Sequence, residues 1–369
     1  MKFGVQVEGL RKTIGKTEIL RNISFALEEG TVGAIVGPSG AGKSTLLNAL
    51  SGLVPLDSGK VFINGELVES AGGPREKAVY VSPAERNIGY VFQDYLLFPH
   101  MTVYENVAFG LKARKFDRRD IRQRVQNALA LTGLEGLSDR RPNQLSGGQS
   151  QRVALARALV LQPKALFFDE PLSALDRATR ESLRVELRRV FDETGMTVVY
   201  VTHDLDEAFF FGHKIGLLRT GALSFYGTKS ELLNGMNAST AEFLGFNVLH
   251  GKVLAVEGQD TVISSSDWGN NLRVPLTNAS EKLVGQEVEV AVPPGSVRVS
   301  LLRSGMPGTP AKVHEVWEFK DRVQVVLHGA VGGRLIGELP ILEFQEQPLA
   351  QGDSVGVTLG SGLIMMPPG

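Results

Sequence analysis

The chain of 369 residues contains no cysteine, only two tryptophans and almost no excess of charge, with 39 basic and 40 acidic side chains. The absence of cysteine excludes disulfides and thiol chemistry and leaves the cellular compartment open. The formal net charge of −1 provides no general field that would attract nucleic acid. No apolar run approaches the ~18 residues that a membrane-spanning helix needs, so any membrane role is expected to be peripheral.

The sequence changes in character near residue 245, which predicts two domains. Before this point, apolar runs such as Val32–Val36 and Ala165–Phe168 alternate with helical patterns and lead directly into polar residues. This alternation is typical of an α/β fold with a mostly parallel sheet, and residues 94–160 are predicted to form a helical insertion. After this point, short alternating strands separated by Gly, Pro, Asn and Asp predict a small all-β barrel. We therefore expect a first domain over residues 1–240 and a β-rich domain over residues 245–369.

A glycine-rich segment, the phosphate loop, follows the first apolar run and leads into a helical pattern. It fits G-x-x-x-x-G-K-[ST], in which glycine lets successive backbone N–H groups face phosphate oxygens. The lysine supplies a point charge to the terminal phosphates, and the serine supplies a hydroxyl ligand for Mg²⁺. A chance glycine-rich turn would not place both residues in register after a strand. The candidate nucleotide-binding residues are Gly37, Pro38, Ser39, Gly40, Ala41, Gly42, Lys43, Ser44 and Thr45.

A second glycine-containing segment, Leu145–Gln149, has two interpretations. Ser146 and Gln149 have the S-x-x-Q spacing of a capping box, so the segment could simply begin a helix. Capping does not explain Gly147 and Gly148, because each glycine costs about 1 kcal/mol of helix propensity relative to alanine. Glycine there favours a close approach of another group to the backbone, and a helix N-terminus with bare N–H groups is an anion site. The segment is therefore predicted to be a second phosphate-binding element.

Two carboxylates follow the apolar strand Ala165–Phe168, at the edge of the sheet where ligands of α/β folds bind. Asp169 is a candidate Mg²⁺ ligand, directly or through water, and Glu170 is a candidate general base for the attacking water. Alone, the pair would also fit an ordinary capping cluster at the end of a strand. Its position downstream of a phosphate loop favours catalysis.

Three further polar residues are candidates for the same site. His203 ends the strand Val198–Thr202 and is expected to contact the γ-phosphate, although a lone histidine is usually structural. Gln93 follows the strand Gly89–Phe92 and has two candidate roles, namely holding Mg²⁺ together with the water and sensing a partner. Asp176 fits the nucleotide site and would serve equally well as the cap of the next helix.

The order of these motifs resembles that of the ATP-binding cassette (ABC) ATPases over about the first 240 residues. The Walker A, Q-loop, signature, Walker B, D-loop and H-loop positions are, in this chain, Gly37–Thr45, Gln93, Leu145–Gln149, Leu166–Glu170, Ser173–Asp176 and His203. The resemblance implies an enzyme that binds ATP and Mg²⁺ and hydrolyses ATP. It also implies a two-fold, head-to-tail homodimer, in which Ser146, Gly147 and Gly148 close over the nucleotide on the other subunit's phosphate loop.

The β-rich tail resembles the TOBE-type domain of importer ATPases for maltose, molybdate, sulfate, iron and polyamines. This resemblance implies a peripheral protein at the cytoplasmic face of the cell membrane that works with permease subunits and, through them, with a solute-binding protein. Val81–Gln93 and Leu97–His100 are similar to molybdate-importer ATPases, and Val292–Arg298 lacks the Arg-Pro-Glu run that is frequent in sugar importers. These local likenesses predict an oxyanion such as molybdate or tungstate as the solute, with iron, sulfate, polyamine and sugar as alternatives.

One position departs from the family pattern. Family members usually place an aromatic residue near position 14, where it stacks on adenine, whereas this chain has Ile14. Isoleucine offers apolar contact without a π face. Weaker adenine binding is therefore expected, unless Phe3 or another aromatic residue substitutes.

A second functional class consists of soluble ABC ATPases that act on nucleic acid or on the ribosome. Such proteins usually carry two cassettes or a long coiled coil, and this chain shows one copy of each motif and no coiled-coil pattern. Its near-neutral charge also gives no phosphate-binding footprint. No nucleic-acid partner is expected.

Overall fold

The computed structural model describes residues 2–72, 77–258, 260–269, 271–276, 281–301 and 308–365. The chain divides into two compact units, Met1–Leu232 and Leu233–Gly369. The first, here called the cassette unit, is an α/β fold, and the second, the β-rich unit, is predominantly β, so the predicted fold class is confirmed. No helix within the described ranges is long and apolar enough to cross a membrane.

The cassette unit interleaves strands and helices. A short 3-10 helix, Pro142–Gln144, precedes α4, and α7 crosses the division between the units. In chain order the elements are β1 (Phe3–Ile14), β2 (Thr17–Glu28), β3 (Val32–Val36), α1 (Lys43–Ser51), β4 (Ser58–Ile63), β5 (Glu66–Ser70), β6 (Val79–Tyr80), β7 (Ile88–Val91), α2 (Val103–Ala113), α3 (Arg118–Leu131), α4 (Gly147–Leu159), β8 (Ala165–Asp169), α5 (Arg177–Thr194), β9 (Thr197–Thr202), α6 (Leu205–Phe211), β10 (Lys214–Arg219), β11 (Ala222–Thr228) and α7 (Lys229–Asn234).

The central sheet of the cassette unit has six strands in the order β11-β10-β3-β9-β8-β7. The strands from β10 to β7 run parallel, and β11 pairs antiparallel with β10 at the edge. β3, β8 and β9 are buried along their whole length, as expected of parallel strands covered by helices on both faces. The carboxyl ends of β3, β7, β8 and β9 therefore meet at one edge, where the candidate site residues follow them.

A second sheet of the cassette unit is antiparallel, with the order β2-β1-β4-β5-β6. β1 and β2 pair on either side of Gly15 and Lys16, the turn that the sequence predicts. β5 is absent from the sequence-based prediction, because Glu66–Ser70 has too few apolar residues to show an alternating pattern. It pairs with β4 and completes the sheet.

Helices α2, α3 and α4 form the predicted helical insertion and have an apolar core of their own, which includes Val107, Val125 and Val153. α2 begins at a capping box: Thr102 accepts a hydrogen bond from the Glu105 N–H, and the Glu105 side chain accepts one from the Thr102 N–H. The cap and the separate apolar core together stabilise these helices beside the mainly parallel sheet.

The β-rich unit consists of short antiparallel strands with two additional helices. Two 3-10 helices, Glu281–Leu283 and Pro294–Ser296, flank β15. The remaining elements are α8 (Ala238–Phe243), β12 (Asn247–Glu257), β13 (Asp260–Ser265), β14 (Asn271–Pro275), β15 (Glu287–Val292), β16 (Val297–Leu301), β17 (Thr309–Glu318), β18 (Arg322–His328), β19 (Arg334–Pro340), α9 (Ile341–Glu346), β20 (Ser354–Leu359) and β21 (Leu363–Met365).

The strands of the β-rich unit form two five-stranded sheets with matching topology. One has the order β14-β13-β12-β15-β21, and the other has the order β19-β18-β17-β20-β16. Each half of the unit supplies four strands to its own sheet and exchanges its last strand with the other half. The two halves therefore share one topology, as an internal duplication would produce. Trp268, which is fully buried, belongs to the apolar cluster that both sheets share.

Helix α8 explains where the chain divides. Its Ala241 packs with Ala291 and Met365, which are residues of the β-rich unit. The division after Leu232 therefore lies before the boundary at 240–245 that the change in sequence character suggests. The sequence does not predict helix α9, because its six residues are too few for a helical period to show against the alternating strands.

Candidate active site

The phosphate loop connects the carboxyl end of β3 to α1. Gly40 and Gly42 have φ values of 80° and 101°, which side-chain-bearing residues rarely adopt. Gly42 also caps α1 without a side-chain hydrogen bond, which leaves N–H groups of the first turn for a ligand. At Gly37, a Cβ would collide with the carbonyl oxygen of Leu218 in β10. A cavity of about 440 Å³ opens at the loop, lined by Ile19, Ser39, Gly40, Gly42, Lys43, Ser44, Thr45, Gln93 and Glu170.

Lys43 is almost fully buried at the start of α1, and its ammonium group is held by the loop and by a carboxylate that follows β8. The ammonium group donates to the carbonyl oxygens of Gly37 at 2.8 Å and Pro38 at 3.0 Å. It also forms an ion pair with Glu170, with Nζ 3.1 Å from Oε1. The lysine is thus held at the cavity by groups that an anionic ligand can replace.

Asp169 ends β8 and is joined to the phosphate loop. Its Oδ1 accepts a hydrogen bond from the Ser44 hydroxyl at 3.0 Å. Burial raises the pKa of Asp169 above its ordinary value, the Ser44 hydrogen bond opposes this rise, and the neighbouring Glu170 charge adds to it. A bound cation would favour the charged carboxylate here, since Ser44 and Asp169 present oxygen atoms side by side.

Two residues near Asp169 were not predicted from the sequence. The Tyr90 hydroxyl lies 3.5 Å from Asp169 Oδ2 and donates to the side-chain oxygen of Asn48 at 3.1 Å. Burial raises the pKa of Tyr90, and the Asp169 carboxylate raises it further, so the phenol stays protonated and remains a donor. Tyr90 follows the pattern of an ordinary strand residue in β7, so no sequence signal distinguished it.

Glu170 occupies a strained position directly after β8. Its φ of 45° lies in the left-handed region, and its backbone is fixed because its N–H donates to Val201 O at 2.9 Å. The carboxylate contacts Lys43, and its Oε2 lies 2.6 Å from Nδ1 of His203. Burial alone would raise the pKa of Glu170, but hydrogen bonds from Lys43 and His203 outweigh it and hold the pKa below its ordinary value. The carboxylate is therefore ionised at neutral pH.

His203 follows β9, and the residues on either side of it are anchored. The Thr202 hydroxyl donates to Glu207 Oε2 at 2.8 Å, and Asp204 accepts from Arg184 of α5 at 2.9 Å. The imidazole itself is half-exposed and contacts Glu170, which lines the cavity. The structure thus brings Lys43, Glu170 and His203 into one contiguous group.

The signature segment begins α4, and its geometry shows the capping interaction together with a close packing contact at one of the two glycines. Ser146 caps the helix and accepts from the Gln149 N–H, while the Gln149 side chain accepts from the Ser146 N–H. A Cβ at Gly148 would lie 3.1 Å from Thr179 Cγ2 and 3.3 Å from Leu183 Cδ1, both on α5. Part of the reason for glycine is therefore close packing within the chain. Ser146 and Gly147 remain exposed.

Not every candidate residue lines the cavity at the phosphate loop. Outside the phosphate loop, Asp169, His203, the signature residues, Asp176 and Ile14 are absent from its described lining. Asp176 caps α5 and accepts from the Thr179 N–H at 3.1 Å, which is the capping role that the sequence left open. Ile14 lies at the end of β1 with 52% of its surface exposed, whereas Ile19 of β2 lines the cavity and was not predicted.

Similarity to known proteins agrees with this geometry. Residues 20–173 match the protein family described as "ABC transporter". The chain is 37% identical to the spermidine/putrescine import ATP-binding protein PotA of Rubrobacter xylanophilus, over 90% of this chain and 85% of the relative. It is 43% identical to the sulfate/thiosulfate import ATP-binding protein CysA of Thermosynechococcus vestitus, over 68% and 72%. For the Fe(3+) ions import ATP-binding protein FbpC of Rhizobium etli, the identity is 38%, over 84% and 83%.

Solved structures show the same cassette. CbiO1 from Clostridium perfringens, part of the ABC transporter complex CbiONQ, has a TM-score of 0.56 and 32% identity, covering 63% of this chain and 91% of that chain. A dimeric bacterial ABC transporter cassette has a TM-score of 0.52 and 34% identity, covering 61% and 98%.

The fold and the site define an ATP-hydrolysing cassette of the P-loop class. The chain belongs to the family of ABC transporter ATP-binding subunits of import type and is an ATPase.

Proposed function

We propose that this chain hydrolyses MgATP with Glu170 as the general base, and that it does so as a homodimer that drives solute import. The observation that supports this proposal is the group formed by Lys43, Glu170 and His203, together with the contact between Ser44 and Asp169. In this group an ionised carboxylate lies next to a phosphate-binding lysine at the edge of the sheet. These are the parts that phosphoryl transfer to water requires.

Mg²⁺ fits the residues around the Ser44–Asp169 contact. A hydroxyl and a carboxylate are 3.0 Å apart there, and oxygen ligands are those that Mg²⁺ prefers. We assign Ser44, Asp169 and Gln93 as the residues that hold the ion, directly or through water. When bound, Mg²⁺ supplies positive charge to the phosphate oxygens. Within the described residues no cluster of three or more His, Asp or Glu side chains could bind a metal, and the proposed set combines a hydroxyl, a carboxylate and an amide instead.

The chain's own groups account for the chemical step. The phosphates offer Lys43 new anionic partners and draw it from Glu170, which frees one carboxylate oxygen. Glu170 then accepts a proton from water as the water oxygen attacks the γ-phosphorus and the bond to the β–γ bridging oxygen breaks, so that ADP leaves. His203 contacts the γ-phosphate and orients Glu170. The N–H groups of the phosphate loop, with residues 37–45, bind the remaining phosphate oxygens.

The signature residues act in trans in this proposal. Ser146, Gly147, Gly148 and Gln149 lie at the N-terminus of α4, away from the cavity that contains Lys43. The exposed Ser146 and Gly147 suit contact with a nucleotide held by a second copy, and a related cassette of known structure is dimeric. A head-to-tail dimer with two-fold symmetry then has two composite ATP sites, with Asp176 near the interface.

Mixed dimers test this assembly. Ser146→Arg and Lys43→Ala are each expected to abolish trapping of nucleotide in a closed site. A mixture of the two variants should recover one intact composite site, because one chain supplies Ser146 and the other supplies Lys43. Trapped nucleotide is measured with labelled ATP after rapid filtration. A mixture that traps no more than either variant alone would contradict the trans arrangement.

We propose that the dimer acts at the cytoplasmic face of the membrane with permease subunits and, through them, a solute-binding protein. The relatives described above are named for import of spermidine and putrescine, of sulfate and thiosulfate, and of ferric iron. An oxyanion such as molybdate or tungstate remains our proposal for the solute. It is supported by the local likeness over Val81–Gln93 and by the 43% identity to a relative that is named for oxyanion import.

An uptake assay distinguishes the candidate solutes. Cells that express this chain with its permease are offered labelled molybdate, tungstate, sulfate, ferric iron, spermidine or maltose in parallel, with Glu170→Gln as the inactive control. The proposal predicts uptake of an oxyanion that the control lacks. Uptake of iron, polyamine or sugar alone would contradict the oxyanion and leave the ATPase mechanism standing.

A further inference from the structure

The turn that carries Gln93 continues into strained backbone. The Tyr95 N–H donates to Phe92 O at 3.0 Å, which closes a turn with Gln93 and Asp94 at its centre. Tyr95 and Leu96 then have φ values of 59° and 44°, in the left-handed region. Such conformations cost about 1–3 kcal/mol each for side-chain-bearing residues and persist only where surrounding contacts enforce them. Two such residues in succession require a specific restraint.

Arg157 of α4 supplies this restraint. Its guanidinium donates from Nη2 to Tyr95 O and from Nη1 to Leu96 O, each at 2.7 Å. The same group lies 5.5 Å from the centroid of the Phe98 ring. Burial lowers the pKa of Arg157, yet a guanidinium remains charged at neutral pH, so its two bonds to carbonyl oxygens are charge-assisted and strong. One side chain thus binds both carbonyls of the strained pair.

The phenol of Tyr95 adds a second link from the same turn to the active site. Its hydroxyl donates to Pro171 O at 3.3 Å, directly after Glu170. Gln93 therefore lies between the cavity at the phosphate loop and a backbone segment that is held from two sides. A change at Tyr95 or Leu96 would move Gln93 relative to Ser44 and Asp169.

We propose that Arg157 is a positioning residue for ATP hydrolysis, which holds Tyr95 and Leu96 in the left-handed conformation and thereby fixes Gln93 at the cavity. This inference rests on the proposed role of Gln93 toward Mg²⁺ and water. Arg157 also belongs to α4, the helix that Ser146 begins. One rigid helix therefore ties the signature, which acts on the partner's nucleotide, to the residue that acts on the chain's own nucleotide.

Arg157→Gln tests the inference first in the nucleotide-free protein. Without the guanidinium, the strained pair is expected to relax, and the Tyr95 amide should exchange hydrogen for deuterium at least tenfold faster. The phosphate loop is untouched, so the dissociation constant for ATP should stay within about twofold of that of the original chain. Turnover should fall by about 10- to 100-fold, as expected when a reacting group is misplaced by about 1 Å. Arg157→Lys keeps the charge but cannot bind both carbonyls in the same planar geometry. Its turnover should lie between those of the original chain and of Arg157→Gln.

A second substitution provides the rescue. Glycine adopts the left-handed region without steric cost, and Leu96 is 55% exposed, so Leu96→Gly removes strain and little packing. In the Arg157→Gln background it should restore a measurable part of the lost turnover. Arg124→Gln is the matched control, because Arg124 of the neighbouring α3 lies 4.8 Å from the Phe116 ring and bonds to Gln162, away from the turn. It should leave turnover and Tyr95 exchange unchanged.

The outcomes separate this inference from the proposed function. Normal exchange and normal turnover in Arg157→Gln would overturn the inference, and so would lost turnover with normal exchange and no rescue by Leu96→Gly. If Gln93→Ala leaves turnover and its Mg²⁺ dependence unchanged, the proposed role of Gln93 is wrong. The exchange measurement would then still decide whether Arg157 holds the strained pair.

Discussion

The cassette unit buries charged side chains, whereas the polar residues that are buried in the described part of the β-rich unit are uncharged. Those of the cassette unit include Lys43, Glu69, Arg86, Asp169 and Glu207, and those of the β-rich unit are Asn247, Thr261 and Ser265. Backbone strain follows the same division. Within the described ranges, every non-glycine residue with positive φ lies in the cassette unit: Asn22, Asn64, Asn87, Tyr95, Leu96, Lys115, Gln162, Glu170 and Thr220.

This difference indicates that the cassette unit loses some stability at the residues that are suited to its chemistry. Buried charge and left-handed backbone each reduce stability unless specific contacts compensate for them. The cassette unit tolerates buried charge at Lys43 and left-handed backbone at Glu170, both of which line the cavity, and left-handed backbone again at the Tyr95–Leu96 pair that follows Gln93. The β-rich unit instead relies on one continuous apolar cluster around its two sheets, including Trp268. We therefore expect substitutions in the two units to differ in the property that they change, turnover or stability, as well as in the size of the change.

The largest expected effect is on turnover, from Glu170→Gln. The amide keeps the size of the carboxylate but cannot accept the proton, so turnover should fall by ~10²–10⁴. ATP should still bind, and an ATP-bound closed dimer should accumulate, which sizing chromatography with and without ATP detects. Unfolding of the β-rich unit should be unaffected. It can be followed by tryptophan fluorescence, because both tryptophans of the chain, Trp268 and Trp317, lie in that unit. Near-normal turnover would remove Glu170 as the base.

Arg86→Met tests buried charge that serves structure. Arg86 forms an ion pair with Glu69 and donates to Leu50 O at 2.9 Å, at the end of the helix that follows the phosphate loop. Removing it leaves a buried carboxylate without its charge partner, which typically costs about 3–5 kcal/mol. Circular dichroism should show this loss in the cassette unit, while the transition seen by tryptophan fluorescence stays in place.

Two controls make this result specific. In Arg86→Met with Glu69→Met, no unpaired charge remains, so a large part of the stability should return. Arg11→Gln removes the exposed pair with Glu18, which is expected to contribute at most about 1 kcal/mol. Equal losses from Arg11→Gln and Arg86→Met would show that burial of charge is not what distinguishes the cassette unit.

A smaller effect is expected at Ile14, where the adenine ring is proposed to lie. Ile14→Tyr should tighten ATP binding, because stacking of an aromatic ring on a base is worth ~1–3 kcal/mol and less at an exposed turn. Ile14→Leu, which has similar volume and no π face, should bind as the original chain does. Titration with fluorescent ATP and GTP analogues measures both. Unchanged affinity in the tyrosine variant would place residue 14 away from the base.

The smallest effect concerns an exposed electrostatic group of the β-rich unit. Burial alone would raise the pKa of Asp267, but hydrogen bonds from the His250 side chain and N–H outweigh it and lower the pKa. A lowered pKa means that the charged form stabilises the fold above pH ~4, and that this stabilisation disappears as the pH falls through the folded-state pKa. Asp267→Asn should therefore lower the tryptophan-monitored midpoint slightly at pH 7, and the difference should close below about pH 4. Glu257→Gln, at an exposed pair with Arg273, serves as control; a difference that persists at low pH would mean that packing, not charge, is lost.

The groups whose chemistry depends on local spacing can be predicted from the sequence. The phosphate loop, the carboxylates after β8 and the capping box at Ser146 each depend on a few consecutive residues, so their patterns are visible in the chain. Contacts between distant segments leave no such pattern. Arg86 reaches back to Leu50, and Arg157 reaches back to Tyr95, across separations that no local rule covers.

The sequence likewise does not show how the strands of the β-rich unit pair, including the exchange of the last strand between its two sheets. The apolar residues of β15 and β20 alternate, as the sequence predicts for the strands after residue 245. Which sheet β16 or β21 joins is decided by pairing partners far away in the chain. An alternating pattern says which face is buried but not which neighbour lies beside it.

Gly148 illustrates a consequence for genetic studies of this motif. Because side chains of α5 lie against this glycine within the same chain, a Cβ there would press on Thr179 Cγ2 and Leu183 Cδ1 before a nucleotide is present. A loss-of-function allele at this codon would therefore combine a folding defect with a binding defect. Alleles at the exposed Ser146 remove the cap of α4 as well as the proposed contact in trans, so at both codons a defect of function is separated from a defect of shape by measuring folding beside activity.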